Sequence, residues 1–107
     1  MSRRTETGFP KPKEVEDQLV ILIYQNGGSI QTSSYDWNVY DEMADRCRLS
    51  QWARTRRTSG DPRPAWRAYV GYRRKTLLMK RFLDHSRDGI WALNEAGRAR
   101  AERLLGL

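Results

Sequence analysis

The stretch Arg87-Asp88-Gly89-Ile90-Trp91-Ala92-Leu93-Asn94-Glu95-Ala96-Gly97 changes its period part-way along. Gly89 to Leu93 alternates as a half-buried strand does, because successive side chains of a strand point to opposite faces. Asn94 is a side chain suited to accept hydrogen bonds from the first backbone N–H groups of a helix, so a last helix is predicted from Glu95 to Leu105. Its weak inner face is expected from Ala96, Ala99, Leu104 and Leu105, with Arg98, Arg100 and Arg103 in solvent. Just upstream, Asp84 to Asp88 reads as a polar turn and Phe82-Leu83 as the opposite strand, which makes a small hairpin.

Working outward, Val70, Leu77, Leu78 and Phe82 form the inner stripe of a helix predicted from Ala65 to Leu83. Gly71 in its middle costs about 1 kcal/mol relative to alanine and hints that a backbone or a ligand approaches closely. The punctuation Ser59-Gly60-Asp61-Pro62-Arg63-Pro64 precedes it, and Leu49 to Gly60 reads as a loop or short helical turn. A helix from about Tyr35 to Cys47, capped by Ser34, aligns Val39, Met43 and Cys47 and turns Asp36, Asp41, Glu42 and Asp45 to water. Ser29 to Thr32 is at most one short strand with Ile30 inward, and Val15, Leu19, Leu22 and Ile23 mark a first helix from Glu14 that stops at Asn26-Gly27-Gly28. Residues 1–13, with two prolines and no apolar period, read as a flexible basic arm, and residues 14–107 as one domain.

Twelve of the 20 Lys and Arg residues fall between Arg46 and Arg81, where Asp61 is the one acid and Trp52, Trp66, Tyr69 and Tyr72 lie among the cations. Charge segregated in this way predicts a face that binds a polyanion, with nucleic acid the leading partner. At 107 residues the chain fits one domain and leaves little room for a separate catalytic one. No apolar run approaches bilayer length and no signal-peptide pattern follows Met1, so a cytoplasmic protein without a membrane span is expected. One cysteine, Cys47, and one histidine, His85, cannot supply a structural zinc set, and no metal or cofactor is called for. Cys47 and His85 could in principle form a nucleophile pair, but Cys47 continues an apolar stripe and reads as a buried thiol. The carboxylates are scattered on helix surfaces, so no active site is expected.

The predicted order of helix, short strand, two helices, hairpin and C-terminal helix resembles a winged helix-turn-helix, an α+β fold. Trp66-Arg67-Ala68-Tyr69-Val70, then Leu77-Leu78, then the Arg87 to Gly97 stretch resemble the recognition helix, wing and "G-x-W-x-L-T-x-x-G" ending of winged-helix domains attached to restriction endonucleases. Two groups share the resemblance: the N-terminal domain of Mrr-type enzymes and the winged helix of endonucleases that depend on N6-methyladenine. It covers roughly Val15 to Leu105, with Asn94 where those families usually carry threonine; both residues cap. The resemblance implies binding of double-stranded DNA, a nuclease domain fused or separate, and, as a sharper sub-hypothesis, reading of N6-methyladenine in the major groove.

In such a fold the N-terminal half of the recognition helix enters the major groove, here Ala65 to Arg74. The expected phosphate or base contacts are Arg63, Arg67, Arg73 and Arg74, with Arg54, Arg56, Arg57 and Lys75 on the flanking backbone. Arg87 in the wing His85-Ser86-Arg87 would meet a phosphate beside the minor groove, or belong to a plain exposed turn. Trp66 either staples the helix start to the core or faces the groove against a methylated base, and Trp52 and Tyr69 are further candidates for that contact. Trp37 and Trp91 read as packing residues.

These readings lead to a monomeric DNA-recognition module of a restriction or defence system. A transcriptional regulator of the same fold would need an apolar dimer helix, for which the arginine-rich last helix is poorly suited. A protein adaptor whose basic face binds an acidic partner is the other alternative.

Overall fold

The computed structural model describes residues 8–34, 36–84 and 89–107. Along the chain run α1 (Pro12–Gln25), β1 (Ser29–Gln31), α2 (Val39–Arg46), α3 (Gln51–Thr55), α4 (Ala65–Met79), β2 (Leu83–Asp84), β3 (Ile90–Leu93) and α5 (Glu95–Leu105). Among the described residues the strands form one antiparallel sheet in the order β1-β3-β2, with Ile30 opposite Trp91 and Leu83 opposite Leu93. Five helices around so small a sheet make an α+β architecture compatible with a winged helix. The core is built on α1, whose Leu19, Leu22 and Ile23 are wholly buried against Val39 and Met43 of α2, Val70 and Leu77 of α4, and the inward Ile30 and Leu93 of the sheet.

The 89–97 stretch folds for reasons that can be named residue by residue. Trp91 and Leu93 alternate into the core. The Asn94 side-chain oxygen accepts from the Gly97 backbone N–H at 2.8 Å, while its amide donates to the Arg81 carbonyl at 2.6 Å. One side chain therefore caps α5 and ties it to the end of α4. Gly97 is buried, and a Cβ placed there would meet the Phe82 carbonyl oxygen at 2.1 Å, so only glycine lets α5 pack this closely. The inner face of α5 is accordingly Gly97 and Ala101 with half-buried Leu104 and Leu105, whereas Ala96 and Ala99, expected inward, are exposed.

Two helix boundaries depart from expectation. Ser33 bridges to Asn38, and it is Asn38, not Ser34, whose side chain accepts from the backbone N–H of Asp41 and starts α2. Helix α4 stops at Met79, four residues early. The Phe82 N–H donates to the Leu77 carbonyl and the Arg81 N–H to the Leu78 carbonyl, a Schellman ending whose left-handed position is filled by Arg81 at φ 62°. Helix α2 ends in the same way, with Arg48 at φ 53° and Leu49 N–H donating to the Ala44 carbonyl.

The arm expected over residues 1–13 is corrected for its described part. Phe9 and Pro10 are buried and α1 already begins at Pro12. Residues 1–7, Tyr35 and the wing turn with His85 and Arg87 lie outside the described residues.

Candidate nucleic-acid interface

Residues of an α-helix are set about 100° apart, which sorts α4 into sides. Trp66, Val70 and Leu77 face the core. Opposite them, Ala68, Gly71, Tyr72, Lys75 and Met79 form the outward stripe, with exposed Arg67 at its edge. No acid occurs anywhere on α4. Arg67 and Arg74 lean toward α2 and β3, where their guanidinium carbons sit 5.0 Å from the Tyr40 ring centre and 5.7 Å from the Trp91 ring centre. Tyr69 and Arg73 lean the other way, toward residues 9–16.

The interleaving of cations and aromatics seen in the sequence has a physical basis. Arg56 lies over both Phe9 and Trp52, Arg67 over Tyr40, Arg73 over Tyr69, Arg74 over Trp91 and Lys75 over Tyr72, all within 6 Å of a ring centre. A ring face holds a cation without neutralising it, and Arg67, Arg74 and Lys75 have no acid partner among the described residues. Three other candidates are paired with acids. Arg54 Nη2 is 2.6 Å from Asp45 Oδ1, Arg63 Nε is 3.4 Å from Asp61 Oδ1, and Arg73 Nη1 is 3.4 Å from Glu16 Oε2. The Arg63 pair is mostly in solvent and weak. There the backbone N–H of Arg63, and then its guanidinium, hold the Asp61 carboxyl below its usual range. Glu16 is buried and also takes Lys80 Nζ at 2.9 Å, so Arg73 belongs to a clamp between α1 and α4. Arg57 is exposed, and its backbone bridges to that of Pro64.

Two aromatic candidates are engaged within the fold, and for Trp66 this is the stapling alternative. Trp66 is 2% exposed, its Nε1–H donates to the Tyr40 carbonyl at 2.9 Å, and its ring stacks on Tyr69 and tilts against Phe9. It staples the start of α4 to the core and has no face left for a base. Tyr69 is half-buried between Phe9 and Trp66, and its hydroxyl donates to the Pro10 carbonyl at 2.6 Å. Burial pushes its phenol above the ordinary value, with Arg73 opposing and Glu16 adding to the rise. Among the described residues the aromatics most exposed to solvent are Trp52 and Tyr72, each 59% exposed. Tyr72 was not among the expected contacts, although 100° spacing from Ala68 and Lys75 would have placed it with them. Trp52 lies on the Phe9 flank, Tyr72 on the outward stripe.

Two adjoining clefts run along the outward stripe and share Tyr40 and Ala68. The smaller, about 150 Å³, has Asp61, Arg63, Pro64 and Arg67 at the N-terminal end of α4. The larger, about 410 Å³, separates Gly71, Tyr72 and Lys75 of α4 from Thr32, Gly89 and Trp91 of the sheet side.

The family model of the Mrr N-terminal domain matches residues 20–103. The chain belongs to that family. No curated protein and no solved structure matches it. In this Mrr N-terminal domain the matched span holds every α4 side chain described above, both exposed aromatics and the Gly89 to Gly97 ending. Among the described residues no helix is long and apolar enough to cross a membrane, and no group of three or more His, Cys, Asp or Glu side chains is placed to hold a metal ion.

Proposed function

We propose that this Mrr N-terminal domain binds double-stranded DNA through the outward stripe of α4, as the recognition module of a restriction or defence system whose nuclease lies in another domain. The observation that carries the proposal is an exposed helix face with no acid on it, bearing Arg67, Tyr72 and Lys75, beside an Arg74 that no carboxylate of the described residues neutralises. Arg56, Arg57 and Arg63 extend the same positive field toward the helix start. Such a surface fits a duplex better than an acidic protein, because the charges are held on rings in a row rather than in forks around single carboxylates.

Reading of N6-methyladenine is the finer form of the proposal. With Trp66 buried and Tyr69 half-buried and bonded to Pro10, Tyr72 and Trp52 are the exposed aromatics among the described residues able to meet a methyl group, and Tyr72 is the one on the groove-facing stripe. A single methyl contributes on the order of 1 kcal/mol when buried, so discrimination of roughly fivefold to tenfold is expected.

The experiment is titration of the purified domain with matched duplexes carrying no methyl group, one, or one on each strand. Expected are duplex binding that weakens with salt, a severalfold preference for methylated DNA, and at least tenfold loss in the double variant Arg67→Ala, Lys75→Ala. Equal affinity for all three duplexes removes methyl reading. Absence of duplex binding, or binding that ignores the double variant, removes the DNA-binding proposal and favours the adaptor.

A further inference from the structure

Gly71 stands in the middle of α4 at a place where the fold gives no reason for glycine. Its backbone is helical, and among the described residues a Cβ built on it would meet nothing within 4 Å. Gly97 is the contrast, since there the fold itself fills the space. Alanine at position 71 would favour the helix and fit without a clash, so the bare backbone is what a ligand would use.

The space above Gly71 is the cleft of about 410 Å³ between α4 and the sheet. Among the described residues its lining includes Arg74 and Lys75 and no acid, and the Thr32 side chain and Gly89 form the far wall. Arg74 lies over Trp91, and its Nε is buried without a hydrogen-bond acceptor among the described residues. Lys75 sits over Tyr72 in the same manner. The Trp91 wall of the cleft thus carries one of the protein's own cations, which disfavours a base stacked there. An anionic chain running between the cations meets their free N–H groups instead.

We infer that this cleft seats the sugar–phosphate backbone of one DNA strand. Gly71 allows the strand to touch the helix backbone, and Arg74 and Lys75 hold its phosphates from one wall. The inference rests on the DNA-binding proposal and adds a location and a role to it: a positioning contact that carries no sequence information, because phosphates are alike at every base pair.

The test compares wild type, Gly71→Ala, Gly71→Leu, Arg74→Ala and Arg67→Ala for affinity to short duplexes over a range of salt, with thermal unfolding of each. Gly71→Ala is expected to raise the melting temperature by a few degrees and to weaken binding severalfold. Gly71→Leu fills the cleft and is expected to weaken binding at least tenfold, by the same factor for unmodified and methylated duplexes. Arg74→Ala should reduce the slope of log K against log salt by about one. Wild-type affinity in both Gly71 variants, an unchanged slope in Arg74→Ala, or a Gly71→Leu loss confined to one sequence or modification overturns the cleft assignment. Loss in Arg67→Ala alongside any of these leaves DNA binding standing, whereas a wild type that fails to bind duplex removes both. Should Gly71→Leu fail to fold, Gly71→Ala and Arg74→Ala decide the matter.

Discussion

Trp66 directs its indole N–H to a backbone carbonyl within the core, while Trp52 leaves more than half of its surface in water. The same substitution must therefore report different things at the two positions. Trp66→Ala is expected to lower stability by about 3–5 kcal/mol, the usual range for a large buried aromatic, and Trp52→Ala by less than about 1 kcal/mol. Urea unfolding of the two variants checks this, and equal losses would contradict the placement of Trp66 as a staple. In duplex binding the order concerns Trp52 and Tyr72 instead: Tyr72→Ala should weaken affinity more, since it sits on the stripe rather than the flank. Tyr69 adds a pH dependence. Its phenol is raised by burial, so the neutral form is favoured in the fold; that contribution is complete below the ordinary tyrosine range near pH 10 and is lost as pH climbs through the raised value. Tyr69→Phe removes the hydrogen bond to Pro10 and should destabilise by about 1 kcal/mol at neutral pH. The gap to wild type should then shrink above about pH 10. A gap that stays constant into strong alkali would show that the phenol is not the group responsible.

At the level of elements, the joint between α1 and α4 depends on one carboxylate. Glu16 is 5% exposed and faces Arg73 on one oxygen and Lys80 on the other. Glu16→Gln keeps the shape and removes the charge, leaving two cations that can partly turn to solvent; a loss of about 1–3 kcal/mol is expected, below the range for a fully buried pair. The ends of α2 and α4 offer a second measurement. A non-glycine residue in the left-handed region costs roughly 1–2 kcal/mol, so Arg81→Gly should raise stability by about 1 kcal/mol. Arg81 also explains why α4 was expected to run on to Leu83: without a glycine, nothing local announces the stop. The strand, cap and α5 after Gly89 were legible because alternation and capping act over a few residues. The inner face of α5 was not, since Gly97 turns inward only because the Phe82 carbonyl, 15 residues earlier in the chain, lies against it. The role of Phe9 was equally hidden, as a lone aromatic among prolines and lysines shows no period.

For the molecule as a whole, the surplus of positive charge between Arg46 and Arg81 was legible at once, but its division into free and paired cations was not. Glu16 and Arg73 are separated by 57 residues and Asp45 and Arg54 by nine, across different elements, so no local pattern announces either pair. Arg54 and Arg73 are held by acids and partly buried, whereas Arg56, Arg57, Arg67, Arg74 and Lys75 have no acid partner among the described residues and Arg63 has a weak, exposed one. Each phosphate neutralised on duplex DNA releases bound counterions and adds about −0.9 to the slope of log K against log salt. Six such cations give a slope of about −5, or roughly a thousandfold loss of affinity between 50 and 200 mM salt. A cation already neutralised by a carboxylate of its own fold contributes little, because contact with a phosphate first has to break that pair. Arg54→Ala and Arg73→Ala are therefore expected to leave the slope within about half a unit of wild type, while Arg67→Ala reduces it by about one. Titrations at four or five salt concentrations measure all three. A slope that falls equally for Arg73→Ala and Arg67→Ala would mean that the Glu16 clamp opens on DNA, and that the polyanion-binding face extends around α4 onto its α1 side.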